Sequence, residues 1–361
     1  MLVIIFLLIK FSKMDETKTI LITWWLWYIW SHTCTVFGEN NFNIIIIDNL
    51  SNSQIDVLDN IWEINWKKPI FYNVDIKNYE ELEKIFKKHP EIDWIIHFAG
   101  KKAVWESCQD PFLYYDNNII WTLNLFKLMQ KYDKKNIVFS SSATVYDSLK
   151  ILPPFTETDR VWTYNPYWTT KLVIEYLLKD LANFKWFNVV NLRYFNPIWA
   201  HSSWLLWENP KWIPNNLVPY IFKVAKGEIE KVQIFGNDYE TLDGTWVRDY
   251  IHVMDVADAH LSAFNQLQKF VEYKKENNIQ DNKWYFDIFN IWTWDWKSVK
   301  EIIDLVSTVT WKTILSEVVS RRPWDIPTSI ANPQKAKQVL WRESKRSVYQ
   351  AIEDARRFVN N

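Results

Sequence analysis

Aliphatic runs and amphipathic stretches alternate along the N-terminal half of the chain. Short β-branched runs bounded by polar residues favour buried strands, and apolar residues spaced by three or four favour helices. The predicted strands are 19–23, 43–47, 70–74, 94–98, 136–140 and 187–193, and the predicted helices are 28–37, 78–88, 110–132 and 166–183. This order predicts an α/β fold built on a doubly wound parallel sheet, which binds ligands at the carboxyl ends of its strands.

The first strand, helix and second strand form one βαβ unit that ends at Asp48. A dinucleotide-binding unit places an acid there to contact the adenosine ribose, and this acid favours NAD over NADP. The turn before the helix should carry glycines, because it needs positive φ angles and lets backbone N–H groups approach a pyrophosphate. It carries Trp24, Trp25, Trp27 and Trp30 instead.

Composition indicates that many tryptophans stand where glycine belongs. The chain has 5 Gly and 24 Trp, whereas about 7 % Gly, or roughly 25 residues, is usual at this length. Exchanging Trp for Gly turns residues 24–30 into GGLGYIG and residues 290–296 into NIGTGDG, and both are plausible turns. A genetic code that assigns UGA to glycine, translated as if UGA encoded tryptophan, explains the exchange. Trp341 is a position where tryptophan fits.

Charge and cysteine content restrict the class of protein. The 42 basic and 43 acidic residues give a net charge of −1, so neither nucleic acid nor a membrane surface is an expected partner. Cys34 and Cys108 lie far apart without metal-ligand spacing. We therefore expect two reduced thiols, no metal site and a cytoplasmic location. The length of 361 residues favours two domains.

The chain begins with an apolar run, MLVIIFLLIKFSK. This run is too short to span a bilayer, and it lacks the basic start and the small-residue cleavage site of a signal peptide. Met14 is a natural start shortly before the first strand. We predict that residues 1–15 are an N-terminal extension outside the fold, with a short membrane-associating segment as the alternative.

Seven motifs follow one another in a recognisable order. They are HFAGKKAV at 97–104, YYDNN at 114–118, SSSATVY at 140–146, NPYWTTK at 165–171, RYFNP at 193–197, IPNNL at 213–217 and GTWVRDYIHVMDVAD at 244–258. With glycine in place of most tryptophans, the chain from about 18 to 342 resembles the UDP-galactose 4-epimerase family, NAD-containing members of the extended short-chain dehydrogenases/reductases.

The resemblance implies two domains and a homodimer. An NAD-binding Rossmann domain would span 16–197, with the chain returning to it at about 248–292, and a smaller α/β substrate-binding domain would occupy mainly 198–361. The dimer would form through the helices at about 110–132 and 166–183. Residues 272–283 are polar and predict a solvated connection.

Tyr167 and Lys171 lie four residues apart on a predicted helix, so their side chains share one face. Ser142 follows the strand 136–140 at the carboxyl end of the sheet. A nearby ammonium and a cationic nicotinamide ring both favour the phenolate, which makes Tyr167 a candidate general base.

The resemblance gives these residues roles in a C4 epimerisation of UDP-glucose and UDP-galactose. Tyr167 would take the proton of the sugar 4-hydroxyl while hydride passes from C4 to NAD. Lys171 would lower the pKa of Tyr167 and bind the nicotinamide ribose, and Ser142 with Thr144 would hydrogen-bond the reacting oxygen. The 4-keto sugar would then turn over and take the hydride back on its other face, so that NAD stays bound.

The resemblance also assigns the binding residues. For NAD they are Trp24, Trp27, Tyr28, Ile29, Trp30, Asp48, Asn49, Asp75, Ile76, Phe98, Ala99, Gly100, Lys102, Asn117, Tyr167, Lys171 and Phe195. For the UDP sugar they are Asn196, Asn216, Arg248, Arg322 and Asp325, and guanidinium groups suit phosphate oxygens. Ser329 matches a position where the family has either a tyrosine or a small residue, which would leave room for N-acetylated sugars.

Three alternatives stay open. The first is another nucleotide-sugar enzyme of this fold, a decarboxylase or a 4,6-dehydratase, although dehydratases carry an Asp-Glu pair where this chain has Ala143 and Thr144. The second is a catalytically silent dinucleotide-binding protein, which the set of Ser142, Tyr167 and Lys171 disfavours. The third is a genuinely tryptophan-rich carbohydrate-binding module.

Overall fold

A computed structural model of the chain describes residues 17–23, 28–51, 54–98, 100–198, 200–206, 216–279, 283–322, 325–340 and 343–360. The predicted extension at 1–15 therefore lies outside the described residues, as do Trp24, Trp25, Trp27, Ala99 and Trp341. Among the residues that the structure describes, no helix is both long and apolar enough to cross a membrane.

Strands and helices alternate along the chain as the sequence predicts. The strands are β1 Thr19–Thr23, β2 Asn43–Asp48, β3 Ile70–Asn73, β4 Ile92–Phe98, β5 Asn136–Ser142, β6 Asn188–Tyr194, β7 Asn196–Ile198, β8 Val232–Phe235, β9 Val247–His252, β10 Phe286–Ile291, β11 Trp296–Ser298, β12 Ser316–Val319 and β13 Thr328–Ser329. The α-helices are α1 Tyr28–Glu39, α2 Val57–Asn65, α3 Tyr79–Lys88, α4 Val104–Gln109, α5 Pro111–Tyr115, α6 Trp121–Lys131, α7 Pro166–Lys185, α8 Leu217–Lys226, α9 Val253–Glu276, α10 Val299–Thr310, α11 Gln334–Val339 and α12 Val348–Asn360.

Seven of these strands form one parallel sheet in the order β10-β6-β5-β4-β1-β2-β3. Ile20 and Ile22 of the central strand β1 pack in the core on one face, and Leu21 packs in the core on the other. All three are at most 1 % exposed. A strand buried on both faces has no polar side, which is why its sequence is a continuous aliphatic run.

Helices cover both faces of this sheet. Phe37 of α1 and Phe264 of α9 pack in one core, and Phe86 of α3 and Ile174 of α7 pack in the other. Burying such a side chain contributes about 1.5–3 kcal/mol. The predicted doubly wound α/β fold is therefore confirmed.

A smaller layer follows along the chain. Strands β7, β9, β11 and β13 form a four-stranded sheet, and β8 pairs with β12. A third core joins Ile221 of α8, Ile302 of α10 and Ile352 of α12. The division into an NAD-binding and a substrate-binding domain remains a prediction.

Two predicted segments differ from the structure. The helix predicted over 110–132 is interrupted by a five-residue π-helix, Asp116–Ile120, between α5 and α6. The polar connection predicted from residue 272 begins later, because α9 continues to Glu276. A hydrogen bond of 2.6 Å from Gln268 Nε2 to Glu272 Oε1 supports this exposed end of the helix.

Among the described residues, five tryptophans adopt a left-handed backbone conformation with φ between 54° and 65°. They are Trp66, Trp186, Trp204, Trp294 and Trp311. Three of them are the caps that end α2, α7 and α10, where glycine is the usual residue. This conformation costs about 1–2 kcal/mol for a residue that has a Cβ atom. Exposed side chains, such as that of Trp66 at 84 %, gain little packing in return.

Candidate active site

The carboxyl end of β5 carries three consecutive serines. The last, Ser142, caps a short 3₁₀ helix, Ala143–Val145. Its Oγ accepts hydrogen bonds from Thr144 N at 3.3 Å and Thr144 Oγ1 at 3.0 Å. This turn places both hydroxyl groups together where the strand ends, as a ligand site in such a sheet requires.

The start of α7 brings Tyr167 to this turn. Asn165 caps the helix by accepting a hydrogen bond of 3.0 Å from Trp168 N, and Pro166 is the first helical residue. The Tyr167 hydroxyl lies near Ser142, whose side chain lowers the pKa of Tyr167. Lys171 follows one turn later, is 3 % exposed, and donates from Nζ to the Ser140 carbonyl at 2.7 Å. The four candidate catalytic residues therefore lie at one strand end.

Burial controls the ionisation of this group. It raises the pKa of the Tyr167 hydroxyl above its ordinary value, Tyr194 adds to the rise, and Ser142 opposes it. It also lowers the pKa of Lys171 to about 7, against the opposing effect of Glu175. Burial outweighs the other influences on the pKa of Tyr167, and the Lys171 ammonium is directed to the Ser140 carbonyl. The preference of Tyr167 for the phenolate, which also involves the nicotinamide ring, stays a prediction.

The residues predicted to hold the adenosine meet at the ends of β2 and β3. Asp48, Asn49, Asp75 and Ile76 line one shallow depression there. Asn49 Nδ2 donates to Asp75 Oδ2 at 3.0 Å, and Asp48 Oδ1 accepts from Leu50 N at 2.5 Å. A larger cavity lies at the amino ends of β1, β2 and β3, and none of the predicted site residues lines it.

The loop after β4 is fixed by Gly100 and Asn118. Gly100 has a φ of +34°, and a Cβ there would lie 1.7 Å from Asn118 Oδ1, so only glycine fits. Asn118 binds both backbone groups of Lys101, at 2.8 and 3.0 Å, and donates to Thr170 Oγ1 of α7 at 2.9 Å. One amide side chain thus joins this loop, the π-helix and α7.

Asn117 lies in the π-helix and is 6 % exposed. Its Oδ1 has no hydrogen-bond partner among the described residues. A buried polar atom left unpaired costs about 1–3 kcal/mol, and π-helical turns recur at functional sites. The Asn117 side chain therefore fits a role in binding a ligand that supplies a donor.

The remaining predicted cofactor residues are more dispersed. Tyr28 and Trp30 are each 3 % exposed at the start of α1, with Ile29 half-buried between them. Phe98 ends β4, and Phe195 packs in a small core beside the 3₁₀ helix. Lys102 is exposed and lowers the pKa of Lys171.

The predicted UDP-sugar residues form a second group. Arg248 Nη1 donates to the carbonyls of Val247 and Ile326, each at 2.9 Å, and its Nη2 lies 3.8 Å from Asp325 Oδ1. Arg322 Nε donates to Asp325 Oδ2 at 2.9 Å. Two guanidinium groups around one carboxylate leave a net positive charge, which suits a diphosphate.

Three further residues are predicted to contact the UDP sugar. Strand pairing places Ser329 of β13 opposite Arg248 of β9. Asn196 Nδ2 donates to the Asp249 carbonyl at 3.2 Å. Asn216 is exposed directly before α8.

Sequence reasoning missed several polar residues of this region. Glu175 and Arg193 form a fully buried ion pair behind Lys171. Asp249 accepts from Thr293 N at 3.2 Å and Oγ1 at 3.1 Å, and burial raises its pKa to about 6. The sequence feature that could have indicated Glu175 is its position four residues after Lys171, on the same face of the helix.

Known proteins share this fold and sequence. A family model described as GDP-mannose 4,6 dehydratase matches residues 21–355. UDP-glucose 4-epimerase from Bacillus subtilis (strain 168) is 42 % identical over 94 % of this chain and 96 % of its own length. The Dictyostelium discoideum UDP-glucose 4-epimerase is 42 % identical over 90 % of each chain.

A solved structure shows the same similarity. UDP-glucose 4-epimerase from Bifidobacterium longum, in complex with NAD⁺ and UDP, has a TM-score of 0.86 and 38 % identity over 95 % of this chain and 98 % of its own. The shared fold, the near-complete coverage and the identity to several epimerases agree. The chain therefore belongs to the UDP-glucose 4-epimerases of the extended short-chain dehydrogenase/reductase family.

Proposed function

We propose that this chain is an isomerase that interconverts UDP-glucose and UDP-galactose at C4 with bound NAD. The observation that carries the proposal is the meeting of Ser142, Tyr167 and Lys171 at the end of β5. Asp48, Asn49, Asp75 and Ile76 meet at one depression, as residues that bind the adenosine would, and the unpaired Asn117 Oδ1 fits a bound ligand. The relatives that match nearly the whole chain have this activity in their names.

The roles of the side chains follow from their positions. NAD, when bound, supplies the hydride chemistry at C4 of the sugar. Tyr167 accepts the proton of the 4-hydroxyl and returns it, and the hydroxyls of Ser142 and Thr144 hydrogen-bond the reacting oxygen. Burial alone raises the pKa of Tyr167, so Tyr167 needs a nearby cation to act as a base. The Lys171 ammonium supplies this cation. Arg248 and Arg322 bind the diphosphate.

The purified protein should contain NAD and convert UDP-glucose to UDP-galactose without added cofactor. The reason is that the hydride returns to the sugar in each cycle, so NAD is not consumed. Nucleotide release on denaturation and coupled product detection would measure both. A protein that binds NAD but does not convert either sugar would contradict the proposal and favour the catalytically silent alternative.

A dehydratase is the second candidate, because the matching family model has that description. Dehydration needs an acid and a base to remove water from the sugar. In this chain Ser142 is followed by Ala143 and Thr144, which carry no carboxylate. The residues at this turn therefore favour epimerisation.

Substrate breadth is proposed to depend on Ser329, which lies opposite Arg248. A small side chain leaves room for an N-acetyl group at C2, so UDP-N-acetylglucosamine should be epimerised as well as UDP-glucose. Ser329→Tyr should lower kcat/KM for the N-acetylated sugar selectively, since overpacking costs about 1–3 kcal/mol. UDP-glucose serves as the internal control. An unchanged ratio of the two kcat/KM values would show that Ser329 does not control the pocket.

A homodimer through α5 to α7 is proposed for the assembled protein. These helices expose Phe112, Ile120, Tyr176 and Phe184, each at least 50 % accessible, and a partner would cover such side chains. Sedimentation at micromolar concentration should show a dimer, and Phe184→Glu should weaken it. Leu315→Glu is the control, because Leu315 is also exposed but precedes β12. A monomeric parent protein would contradict this proposal.

We also propose that the natural protein has glycine at most of its tryptophan positions, including the nucleotide turn at 24–30. The left-handed tryptophans support this, as do the buried Nε1 atoms of Trp30 and Trp246, which lack partners among the described residues. A cytoplasmic location is proposed from the two free thiols, Cys34 and Cys108.

A further inference from the structure

A buried ion pair lies directly behind the candidate catalytic residues. Glu175 and Arg193 are 3 % and 2 % exposed. Arg193 Nε donates to Glu175 Oε1 at 2.9 Å, and Nη2 donates to Oε2 at 2.6 Å. The pair is bidentate, so each group is held in a defined orientation.

The pair is connected to the end of β5 through Ser141. The Ser141 hydroxyl donates to Glu175 Oε1. Its neighbours on the strand meet the same helix, since the Ser140 carbonyl accepts a hydrogen bond from Lys171 and the Ser142 side chain lies near Tyr167 and lowers its pKa. Three consecutive serines thus meet three residues of α7 that are spaced by four: Tyr167, Lys171 and Glu175.

Stability alone gives no reason to bury these charges. Desolvating two ions costs several kcal/mol each, and a hydrophobic pair of similar volume is often as stable or more stable. The Arg193 guanidinium also lies 4.8 Å from the centre of the Tyr146 ring, and that contact would survive in part with an apolar side chain. A role in the reaction explains the charges better.

Lys171 is the group on which Glu175 acts. The charged groups that act on Lys171 are Glu175 on α7 and Lys102 after β4, and Lys171 in turn acts on His97 of β4. Arg193 pairs with Glu175. His97 is neutral, because burial lowers its pKa to about 3, and Lys102 lowers the pKa of Lys171. Glu175 is the group that favours the charged ammonium.

We propose that Glu175 is a positioning residue for the reaction: braced by Arg193, it fixes Ser141 beside Ser142 and supplies the negative charge that faces the Lys171 ammonium. The inference rests on the proposed epimerase function. Without the Glu175 charge, Lys171 loses its proton at a lower pH. Tyr167 then lacks the ammonium that it needs to act as a base.

The test is the pH dependence of kcat in Glu175→Gln. Turnover should fall on the alkaline side as Lys171 loses its proton, and this fall should occur about 1 pH unit lower than in the parent enzyme. Glu175→Asp keeps the charge, so its kcat should drop without a comparable movement of the alkaline limb. Glu81→Gln is the matched control, because Glu81 pairs with Lys84 on the exposed surface of α3, and neither kcat nor the limb should change.

A double variant separates positioning from folding. Glu175→Leu with Arg193→Met removes both buried charges, so its Tm should stay near that of the parent, while its alkaline limb should still move to lower pH. An alkaline limb at the parent's position in both Glu175→Gln and the double variant would overturn the proposal. If the parent enzyme itself fails to epimerise UDP-glucose, the proposed function fails, and that result is visible before any variant is made.

Discussion

Glycine at positions 66, 186, 204, 294 and 311 should stabilise the fold by about 2.5–5 kcal/mol relative to tryptophan. Each tryptophan has a φ of 54–65°, which costs about 1–2 kcal/mol. Glycine removes this cost, but its greater conformational freedom in the unfolded chain lowers the free energy of unfolding by about 0.4–1 kcal/mol. The net stabilisation is therefore about 0.5–1 kcal/mol per site. The free energy of unfolding of a protein is typically about 5–15 kcal/mol, so the summed gain would be a large fraction of it.

The comparison needs two synthetic genes, one with tryptophan and one with glycine at the five positions. Urea unfolding of both proteins gives the difference in the free energy of unfolding. Trp62→Gly is the matched control: Trp62 is 49 % exposed, but it lies inside α2. Glycine there should lower stability by roughly 0.5 kcal/mol.

Two outcomes would contradict the glycine assignment. One is a five-glycine protein that is no more stable than the tryptophan protein. The other is mass spectrometry of peptides from the organism that makes the protein, if it finds tryptophan at these five positions. The same peptides would report on positions 24, 25, 27 and 30, which bear on NAD binding.

The large sheet could be predicted from sequence because its strands are buried on both faces. The predicted bounds 19–23 and the observed β1, Thr19–Thr23, coincide. Strands of the smaller layer escaped prediction. Strand β13 has two residues and β7 has three, and runs so short carry no periodic pattern.

Helix irregularities were also invisible in the sequence. The π-helix Asp116–Ile120 continues the helices on both sides of it. The one extra residue in its turn changes the spacing of apolar residues too little to be recognised in the sequence. The short helix α4 and the helix α2 were absent from the prediction. Their amphipathic stretches of 6 and 9 residues are too short to be separated from loop by pattern alone.

Site residues were predictable where a motif carries them and not where tertiary contacts create them. Tyr167 and Lys171 are four apart on one helix, and Ser142 ends a strand, so local spacing was sufficient. The Glu175–Arg193 pair joins α7 to β6, and a lone glutamate or arginine in a sequence normally indicates a solvated surface. Its burial became apparent only once both elements were packed against each other.

Tyr167→Phe should reduce kcat by about 10²–10⁴-fold, the usual cost of removing a positioned proton-transfer group. The hydroxyl lies near Ser142 at the end of β5, and phenylalanine keeps the ring while removing the atom that accepts the proton. Bound NAD and the free energy of unfolding should change little. Tyr273→Phe is the control, because Tyr273 is 57 % exposed on α9, away from the site and from the proposed dimer helices.

The size of this effect distinguishes chemistry from binding. Loss of a hydrogen bond that only holds the substrate would raise KM and leave kcat nearly unchanged, whereas loss of the base lowers kcat and kcat/KM together. Single-turnover reduction of bound NAD by UDP-glucose should slow by the same factor as kcat, since the proton leaves the 4-hydroxyl as hydride leaves C4. Near-full turnover in Tyr167→Phe would remove this tyrosine as the base and would direct attention to Tyr194, which is half-buried and raises the pKa of Tyr167.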